Sequence, residues 1–160
     1  DDAGFLLNNE MDDFSSKPGI PNAYGLIGNT ANAIEPNKRM LSSMSPTIIH
    51  DPDGDLLLVV GSPGGSTIIT TTAQIIMNVV DFNMTIEEAV EMPRFHHQWL
   101  PDAIQIEKLG FSHETITSLE DRRHMIKYRT SLGEANCIEV RDGLIYGAAD
   151  SRRNSSAIGY

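Results

Sequence analysis

The sequence predicts an α+β domain in which paired strands pack against grouped helices. A turn sequence at 51–54, Asp-Pro-Asp-Gly, separates the apolar runs 46–50 and 56–60, as in a β-hairpin. The segment Thr67–Val80 is longer than a typical strand and apolar on most faces, which predicts a helix buried between layers. Further strand patterns lie near the C-terminus, at 126–130, 136–140 and 144–149. Strand pairs with helices grouped between them are typical of a layered α+β domain.

Local signals define the remaining elements. The β-branched residues of Thr67–Val80 favour a strand by propensity, but the length of the segment favours a helix. Thr85 and Glu88 form a capping-box pattern that opens a short helix ending before Pro93. Ser112 is placed to cap a helix that runs to about residue 124. Two more strands are predicted, at 4–8 and 104–107.

Length and composition limit the classes of protein that fit. The 160 residues are predicted to form a single domain, 1–160, and the net charge of −10 argues against a nucleic-acid partner. The apolar run 56–60 is far too short to span a bilayer. The single cysteine, Cys137, excludes an internal disulfide, and its apolar surroundings predict a small core residue.

A glycine-rich stretch, Gly61-Ser62-Pro63-Gly64-Gly65-Ser66, joins the second hairpin strand to the predicted helix; we call it the glycine loop (61–66). Glycines permit a sharp turn and close approach of the backbone to another group. At a helix N-terminus, the N–H groups of Gly64 and Gly65 favour a negative oxygen from a phosphate, a carboxylate or the oxyanion of acyl transfer. A plain tight turn explains the same pattern equally well.

Two other stretches carry groups that suit a zwitterion. Ser42 and Ser43 precede the first hairpin strand, and because antiparallel strands place their ends side by side, we expect them near the glycine loop. Asp12 and Asp13 would attract a cation, although acidic loop clusters are usually only solvated. Together these groups suit the α-amino acid end of a substrate. Phosphate fits less well, since no Gly-Lys-Ser/Thr sequence follows the glycines.

Residues 15–40 lack helix or strand periodicity and contain several glycines and prolines. A loop of this length within a compact domain is uncommon unless it is functional or disordered. Tyr24, Leu26 and Ile27 in its middle predict that it packs down onto another surface, as a lid would.

Five stretches, in register along nearly the whole chain, resemble the small subunit of the γ-glutamyltranspeptidase family. They are Leu6–Ser15, Lys38–Thr47, the glycine loop, Pro93–Pro101 and Gly147–Asp150. The resemblance implies the four-layer αββα fold of the N-terminal-nucleophile hydrolases, of which this chain would form a part. It also implies γ-glutamyl transfer or hydrolysis on glutathione and related compounds, through an acyl-enzyme on an N-terminal threonine.

The resemblance implies substrate-binding roles for four residues. Asp13, assisted by Glu10, would bind the α-amino group of the substrate. Ser42 and Ser43 would hold its α-carboxylate. These assignments agree with the charges that the residues themselves carry, and a strand-entry turn remains the default explanation of the serine pair without the resemblance.

The resemblance implies that Gly64 and Gly65 form the oxyanion hole and that the segment Lys17–Gly28, with Tyr24, is the lid. It implies no cofactor. No metal-ligand spacing is present either, since the adjacent His96 and His97 would point to opposite faces of an extended chain and are predicted to be structural.

The sequence departs from the family pattern in several places. It begins at Asp1 without the N-terminal threonine that serves as nucleophile and, through its own amine, as base, so we expect this chain alone to be inactive. Met40, Thr67 and Ser151 stand where the family often has proline, arginine and proline, which affects local loop geometry more than chemistry.

The resemblance implies further partners: the large subunit of the same autoprocessed precursor, γ-glutamyl substrates such as glutathione, and amino-acid or peptide acceptors. It implies a periplasmic or extracellular location. Other classes of function stay open, namely a non-catalytic module that binds amino acids or peptides, a related acylase-type hydrolase, and a structural half-domain that needs a partner chain.

Overall fold

The computed structural model describes residues 4–5 and 7–159, and two compact units form within the chain, Asp1–Ser42 and Ser43–Tyr160. The strand predicted at 4–8 is wrong for the residues described. Gly4, Phe5, Leu7 and Asn8 are not in a strand, and Phe5 and Leu7 are exposed. A strand needs a hydrogen-bonded neighbour, and within the described chain no segment pairs with this one. Leu6 lies outside the described residues.

The N-terminal unit contains two short 3₁₀ turns and no α-helix among its described residues. The turns span Glu10–Asp13 and Thr30–Asn32. Isolated bridges pair Ser15 with Ala33 in parallel and Pro21 with Ile27 in antiparallel orientation. Among the described residues of this unit, Phe14 is a buried apolar side chain. The unit is therefore held mainly by turns, as the irregular sequence of 15–40 predicts.

The second unit contains three α-helices and seven strands in its described residues. The helices are α1 (Thr67–Val80), α2 (Ile86–Glu91) and α3 (His113–Asp121). The strands are β1 (Thr47–His50), β2 (Leu56–Gly61), β3 (Phe95–His96), β4 (Ile104–Glu107), β5 (Ile126–Arg129), β6 (Asn136–Arg141) and β7 (Leu144–Ala149). The order β1-β2-β6-β7 forms an antiparallel sheet, and β3-β4-β5 forms a smaller mixed sheet.

Most predicted elements of this unit are confirmed. The hairpin, the long helix and the C-terminal strands lie where the sequence places them, within one or two residues. The capping box at Thr85 and Glu88 is present in both directions, and Ser112 accepts a hydrogen bond from the Thr115 N–H. Helix α3 ends at Asp121, three residues before its predicted end.

The core lies between α1, α2 and one face of the four-stranded sheet. It consists of Leu58, Val60, Ile75, Val79, Ile86, Ala89, Val90, Ala135, Cys137 and Ala148. Burial raises the pKa of Cys137 to about 11, so the thiol stays protonated near neutral pH, as expected of a core residue. In the described residues no helix has the length and apolar character needed to cross a membrane.

A buried charge cluster joins four segments of this unit, namely 90–94, β4, 132–135 and 150–152. Arg94 donates to Asp150 at 2.7 Å, and it also donates to the backbone carbonyls of Leu132 and Val90. Arg152 bridges Asp150 and Glu107, with contacts of 2.7 Å to both oxygens of Glu107. Carboxylates also accept backbone N–H groups here, including that of Ala135. We call Arg94, Glu107, Asp150 and Arg152 the buried charge cluster.

Stability is expected to fall in acid because of this cluster. Burial alone would raise the pKa of Asp150, but the Ala135 N–H and the Arg94 guanidinium hold that pKa below its usual value. Burial would likewise raise the pKa of Glu107, but the hydrogen bonds from Arg152 outweigh this effect and hold the pKa below its usual value. As the pH falls, the unfolded chain therefore binds protons before the folded chain does. The stabilisation by these carboxylates is fully present above about pH 4 and is lost as the pH falls through their folded-state pKa values.

Urea unfolding of the full-length protein at several pH values between about 7 and 3 measures this dependence. The expected result is a constant midpoint at the upper end and a steep decrease below about pH 4. An unchanged midpoint across the whole range would contradict the role given to the two carboxylates.

Candidate active site

The acidic residues predicted to bind the substrate's amino group lie on a 3₁₀ turn of the N-terminal unit. Glu10 opens the turn and is exposed, whereas Asp13 closes it and is half-buried. The Asn8 side chain accepts the Glu10 N–H at 3.3 Å, which fixes the start of the turn. The turn therefore presents several carboxylates from a short, locally organised segment.

Asn32 connects this turn to the chain just before Ser42, a link that the sequence does not predict. Its side-chain N–H donates to the Asp13 carbonyl at 2.7 Å, and its side-chain oxygen accepts the Leu41 N–H at 2.9 Å. Its own carbonyl accepts the Ser15 N–H at 2.9 Å. The Asn32 side chain thus fixes the backbone at Asp13, which is predicted to bind the α-ammonium group, and just before Ser42, which is predicted to bind the α-carboxylate. The signal in the sequence is weak, since asparagine is common in turns.

The predicted lid segment, Lys17–Gly28, forms a closed loop. The Gly19 N–H donates to the Gly28 carbonyl at 2.8 Å, and Asn22 accepts the N–H groups of both Tyr24 and Leu26 through its side chain. A Cβ atom added to Gly28 would lie 1.8 Å from Ser15 Oγ, so the base of this loop contacts the chain beside Asp13 closely. The two ends of the segment are therefore fixed together.

A cavity of about 330 Å³ lies beneath this loop, wholly within the N-terminal unit. Asp12 and Asp13 line one side, and the loop residues Ile20, Pro21 and Leu26 line another. Tyr24 is exposed and does not line the cavity. Asp13 and residues of the predicted lid segment thus line the same cavity.

The register of the β1–β2 hairpin supports the predicted proximity of Ser43 to the glycine loop. Thr47 pairs with Val60, Ser43 precedes Thr47 by four residues, and Gly64 follows Val60 by four. Ser43 is half-buried, and its carbonyl accepts the Ser45 hydroxyl at 3.1 Å. The start of β1 and the end of β2 are therefore neighbours within this unit.

The glycine loop adopts a conformation that needs glycine. Gly64 has φ +136° and Gly65 has φ +57°, and both precede the first turn of α1. A Cβ atom on Gly64 would lie 2.4 Å from Thr67 Oγ1, so no larger residue fits without movement. Among the described residues, the N–H groups of Gly64 and Gly65 have no hydrogen-bond acceptor. They remain available at the positive end of a helix.

A polar seam fixes the N-terminal half of α1 against β3 and the residues that follow it. The helix side of this seam consists of residues four apart, namely the N-cap residue Ser66 and then Thr70 and Gln74 of α1. Ser66 donates to Gln98 at 2.8 Å, Thr70 contacts His96 Nδ1 at 2.8 Å, and Gln74 exchanges two hydrogen bonds with the Phe95 backbone. The Ser66 hydroxyl forms this seam instead of capping its own helix.

The two adjacent histidines have separate protein partners. His96 is buried and contacts Thr70 through Nδ1 and Gln98 through Nε2. His97 lies at the surface, where its Nε2 is 3.1 Å from an Asp102 oxygen and its Nδ1 accepts the Trp99 N–H. Both rings therefore form hydrogen bonds within the fold. The described residues contain no group of three or more His, Cys, Asp or Glu side chains suited to a metal ion.

Comparison with known proteins places this arrangement in one family. The Gamma-glutamyltranspeptidase family profile matches residues 1–160. The glutathione hydrolase proenzyme of Escherichia coli (strain K12) is 53% identical over 152 residues, which cover 94% of this chain and 26% of that protein. The chain thus spans about a quarter of the length of this curated relative.

Solved structures agree with this assignment. A Helicobacter pylori γ-glutamyltranspeptidase, the T380A mutant, matches with a TM-score of 0.89 and 54% identity, over 96% of this chain and 84% of that chain. The γ-glutamyltranspeptidase from Pseudomonas nitroreducens complexed with L-DON matches with a TM-score of 0.89 and 43% identity, over 99% and 83% of the two chains. The chain belongs to the γ-glutamyltranspeptidase family, and its α+β fold is that of part of the family's N-terminal-nucleophile hydrolase sandwich.

Proposed function

We propose that the full-length protein transfers γ-glutamyl groups from glutathione and related compounds to water or to an amino-acid or peptide acceptor. The observation that carries this proposal is the glycine loop, whose two adjacent N–H groups lack an acceptor among the described residues of a chain from this family. Such a pair is suited to an oxyanion that forms during acyl transfer.

The proposed reaction has two acyl-transfer steps. A threonine hydroxyl, which we place in the part of the protein outside these 160 residues, attacks the γ-carbonyl carbon of the substrate. The carbonyl oxygen gains negative charge in the tetrahedral intermediate and accepts the N–H groups of Gly64 and Gly65. The proton of the threonine hydroxyl passes to the departing amine as the C–N bond breaks, which leaves an ester on the threonine. Water or the acceptor amine then cleaves this ester through a second tetrahedral intermediate and returns a proton to the threonine hydroxyl.

We assign substrate recognition to the predicted zwitterion groups. The Asp13 carboxylate, with Glu10 nearby on the same turn, binds the α-ammonium group. The hydroxyls of Ser42 and Ser43 bind the α-carboxylate, and the loop that carries Tyr24 covers the substrate. The half-buried position of Asp13 on the wall of the cavity supports the first of these assignments.

Asp13→Asn is expected to raise KM for a chromogenic γ-glutamyl anilide by about 10- to 100-fold, since hydrogen bonds to charged groups contribute roughly 1.5–3 kcal/mol. The rate constant kcat should change less, because the ammonium group is bound in the ground state as well as in the transition state. Asp53→Asn, in the exposed β1–β2 turn, is the matched control.

The measurement is steady-state release of the anilide by the full-length protein. A wild-type protein that binds γ-glutamyl compounds without releasing the anilide would contradict the proposed enzyme and favour a binding module. An active wild type with an unchanged KM in Asp13→Asn would contradict only the role of Asp13.

Asn32→Ala is expected to raise KM by roughly 5- to 10-fold, because it removes the two hydrogen bonds that hold the backbone at Asp13 and Leu41. This factor corresponds to a loss of about 1 kcal/mol in substrate binding. The variant leaves all the proposed substrate-binding side chains in place. Asn32→Asp is the informative companion, since it keeps the acceptor for the Leu41 N–H and loses the donor to the Asp13 carbonyl. A KM equal to wild type in both variants would contradict this positioning role.

The large subunit of the same precursor is the partner that we propose. The face of the four-stranded sheet opposite α1 carries exposed isoleucines from three strands, Ile48, Ile138 and Ile145. An apolar sheet face of this kind suits the second sheet of a sandwich. Copurification of two processed chains from the full-length gene tests this proposal. We further propose, from the family resemblance, a periplasmic or extracellular location, which cell fractionation tests.

A further inference from the structure

Two hydroxyl groups hold the peptide carbonyls of the glycine loop. The Ser62 hydroxyl donates to the Pro63 carbonyl at 2.7 Å, and the Thr67 hydroxyl donates to the Gly64 carbonyl at 2.9 Å. We propose that Ser62 and Thr67 are positioning residues that orient the N–H groups of Gly64 and Gly65 toward the reacting oxygen. This inference rests on the function proposed above.

The geometry follows from the planar peptide bond. The Pro63 carbonyl and the Gly64 N–H belong to one peptide unit, and the Gly64 carbonyl and the Gly65 N–H belong to the next. Both units are trans, so the N–H points in the direction opposite to the carbonyl. Fixing each carbonyl with a hydroxyl therefore fixes the direction of the N–H in the same plane. Glycine on its own adds no restraint to these planes, although the Thr67 N–H also holds the Gly64 carbonyl.

Each hydroxyl is itself anchored in the fold. Ser62 Oγ accepts the Glu134 N–H at 3.1 Å, and a Cβ atom on the adjacent Gly133 would lie 3.0 Å from the same oxygen. Thr67 is the first residue of α1, and its own N–H donates to the Gly64 carbonyl at 3.2 Å. The loop is thus held on one side by the segment before β6 and on the other by α1.

The same hydrogen bonds strengthen the N–H donors. A hydrogen bond accepted by a peptide carbonyl polarises the peptide and makes its N–H a better donor. The substrate oxygen carries full negative charge only in the tetrahedral state, so both orientation and polarisation act mainly on the transition state. Loss of either hydroxyl should therefore lower kcat and leave substrate binding nearly unchanged.

The residue at position 67 allows a conservative test of this role. Valine has nearly the same shape as threonine but has no hydroxyl donor. Thr67→Val therefore removes the hydrogen bond with little change in side-chain volume. Ser62→Ala removes the other hydroxyl.

The test uses the full-length protein, with rates normalised to the processed fraction on a denaturing gel. We expect Thr67→Val and Ser62→Ala each to lower kcat for a γ-glutamyl anilide by about fivefold or more, the factor that corresponds to ~1 kcal/mol. KM and inhibition by free glutamate should stay within about twofold of wild type, because the lost interaction acts in the transition state and not in ground-state binding. A γ-boronate analogue, whose tetrahedral adduct resembles the intermediate, should bind more weakly.

Matched variants separate this role from general stability. Thr67→Ser and Ser62→Thr keep the hydroxyls and should restore kcat. Thr72→Val makes the same change on α1 at a buried hydroxyl that has no hydrogen-bond partner among the described residues, and it should leave kcat at the wild-type value. If Thr67→Val or Ser62→Ala fails to mature, the variant that keeps the hydroxyl at the same position, Thr67→Ser or Ser62→Thr, still shows whether that hydroxyl is required.

The outcomes distinguish this inference from the proposed function. A wild-type protein that does not release the anilide contradicts the proposed function. An active wild type in which Thr67→Val and Ser62→Ala both keep kcat contradicts the positioning role alone. Equal losses in KM, glutamate inhibition and kcat would show a general structural effect and would also overturn it.

Discussion

Asp150→Asn is expected to lower the free energy of unfolding by about 3–5 kcal/mol, the usual cost of removing one partner from a buried ion pair. Asp150 is fully buried, and Arg94, its partner at 2.7 Å, is 2% exposed. The variant keeps the shape of the side chain but leaves the two guanidinium groups of the cluster with one carboxylate, Glu107. The loss is large because these charges cannot be hydrated without opening the core.

Urea unfolding of the full-length protein measures this loss, and Asp102→Asn is its matched control. Asp102 also contacts a basic side chain, with one oxygen 3.1 Å from His97 Nε2, but it is 85% exposed. Exposed pairs are screened by solvent, so the control should change stability only slightly. A similar small change in Asp150→Asn would mean that the buried charge cluster does not hold its four segments together.

This cluster also shows where prediction from the sequence stops. The family-like stretches around Arg94 and Asp150 are visible in the sequence, but nothing in it shows that these residues, 56 positions apart, form one contact. Charged side chains are usually solvated, so the sequence alone favours the surface. Only the meeting of α2, β4 and the C-terminal strand makes this burial possible.

Elements with a strong local signal are predicted well. Helix α1 has the same bounds in sequence and structure, because its length outweighs the strand preference of its β-branched residues. The turn at 51–54 joins the two antiparallel strands of the hairpin, as its sequence predicts. The strand predicted at 4–8 fails because an apolar pattern alone does not supply a neighbouring strand.

The sequence indicates the residue types of the candidate site, but it indicates less clearly the residues that hold them in position. The glycines, the acidic turn and the lid loop are recognisable as motifs. Asn32, Ser62 and the polar seam of α1 act through backbone carbonyls and N–H groups, whose directions depend on three-dimensional structure. The spacing of Ser66, Thr70 and Gln74, four residues apart, is the signal that points to the seam in advance.

Gly64→Ala is expected to lower kcat by about 100- to 1,000-fold, the loss typical of removing one oxyanion donor. At φ +136° an L-residue is strained, and the new Cβ would lie 2.4 Å from Thr67 Oγ1 and 3.4 Å from the Gly133 Cα. The loop must therefore shift, and both N–H groups lose their orientation. Steady-state kinetics on the processed full-length protein measure the loss, with KM expected to change much less.

Two alanine variants separate the site from backbone effects in this experiment. Gly61→Ala, three residues earlier, has an ordinary φ and open space around the new Cβ, and it should keep wild-type kcat. Gly143→Ala, in the β6–β7 turn, also meets no atom within 4 Å. Because an L-residue is strained at its φ of +74°, this variant should lose about 1 kcal/mol of stability, and it should keep its activity. Wild-type kcat in Gly64→Ala would remove the glycine loop from the proposed reaction. A loss of the same size in Gly143→Ala would assign the effect to strain in the fold, because that turn lies on the other edge of the sheet from β1 and carries none of the proposed chemistry.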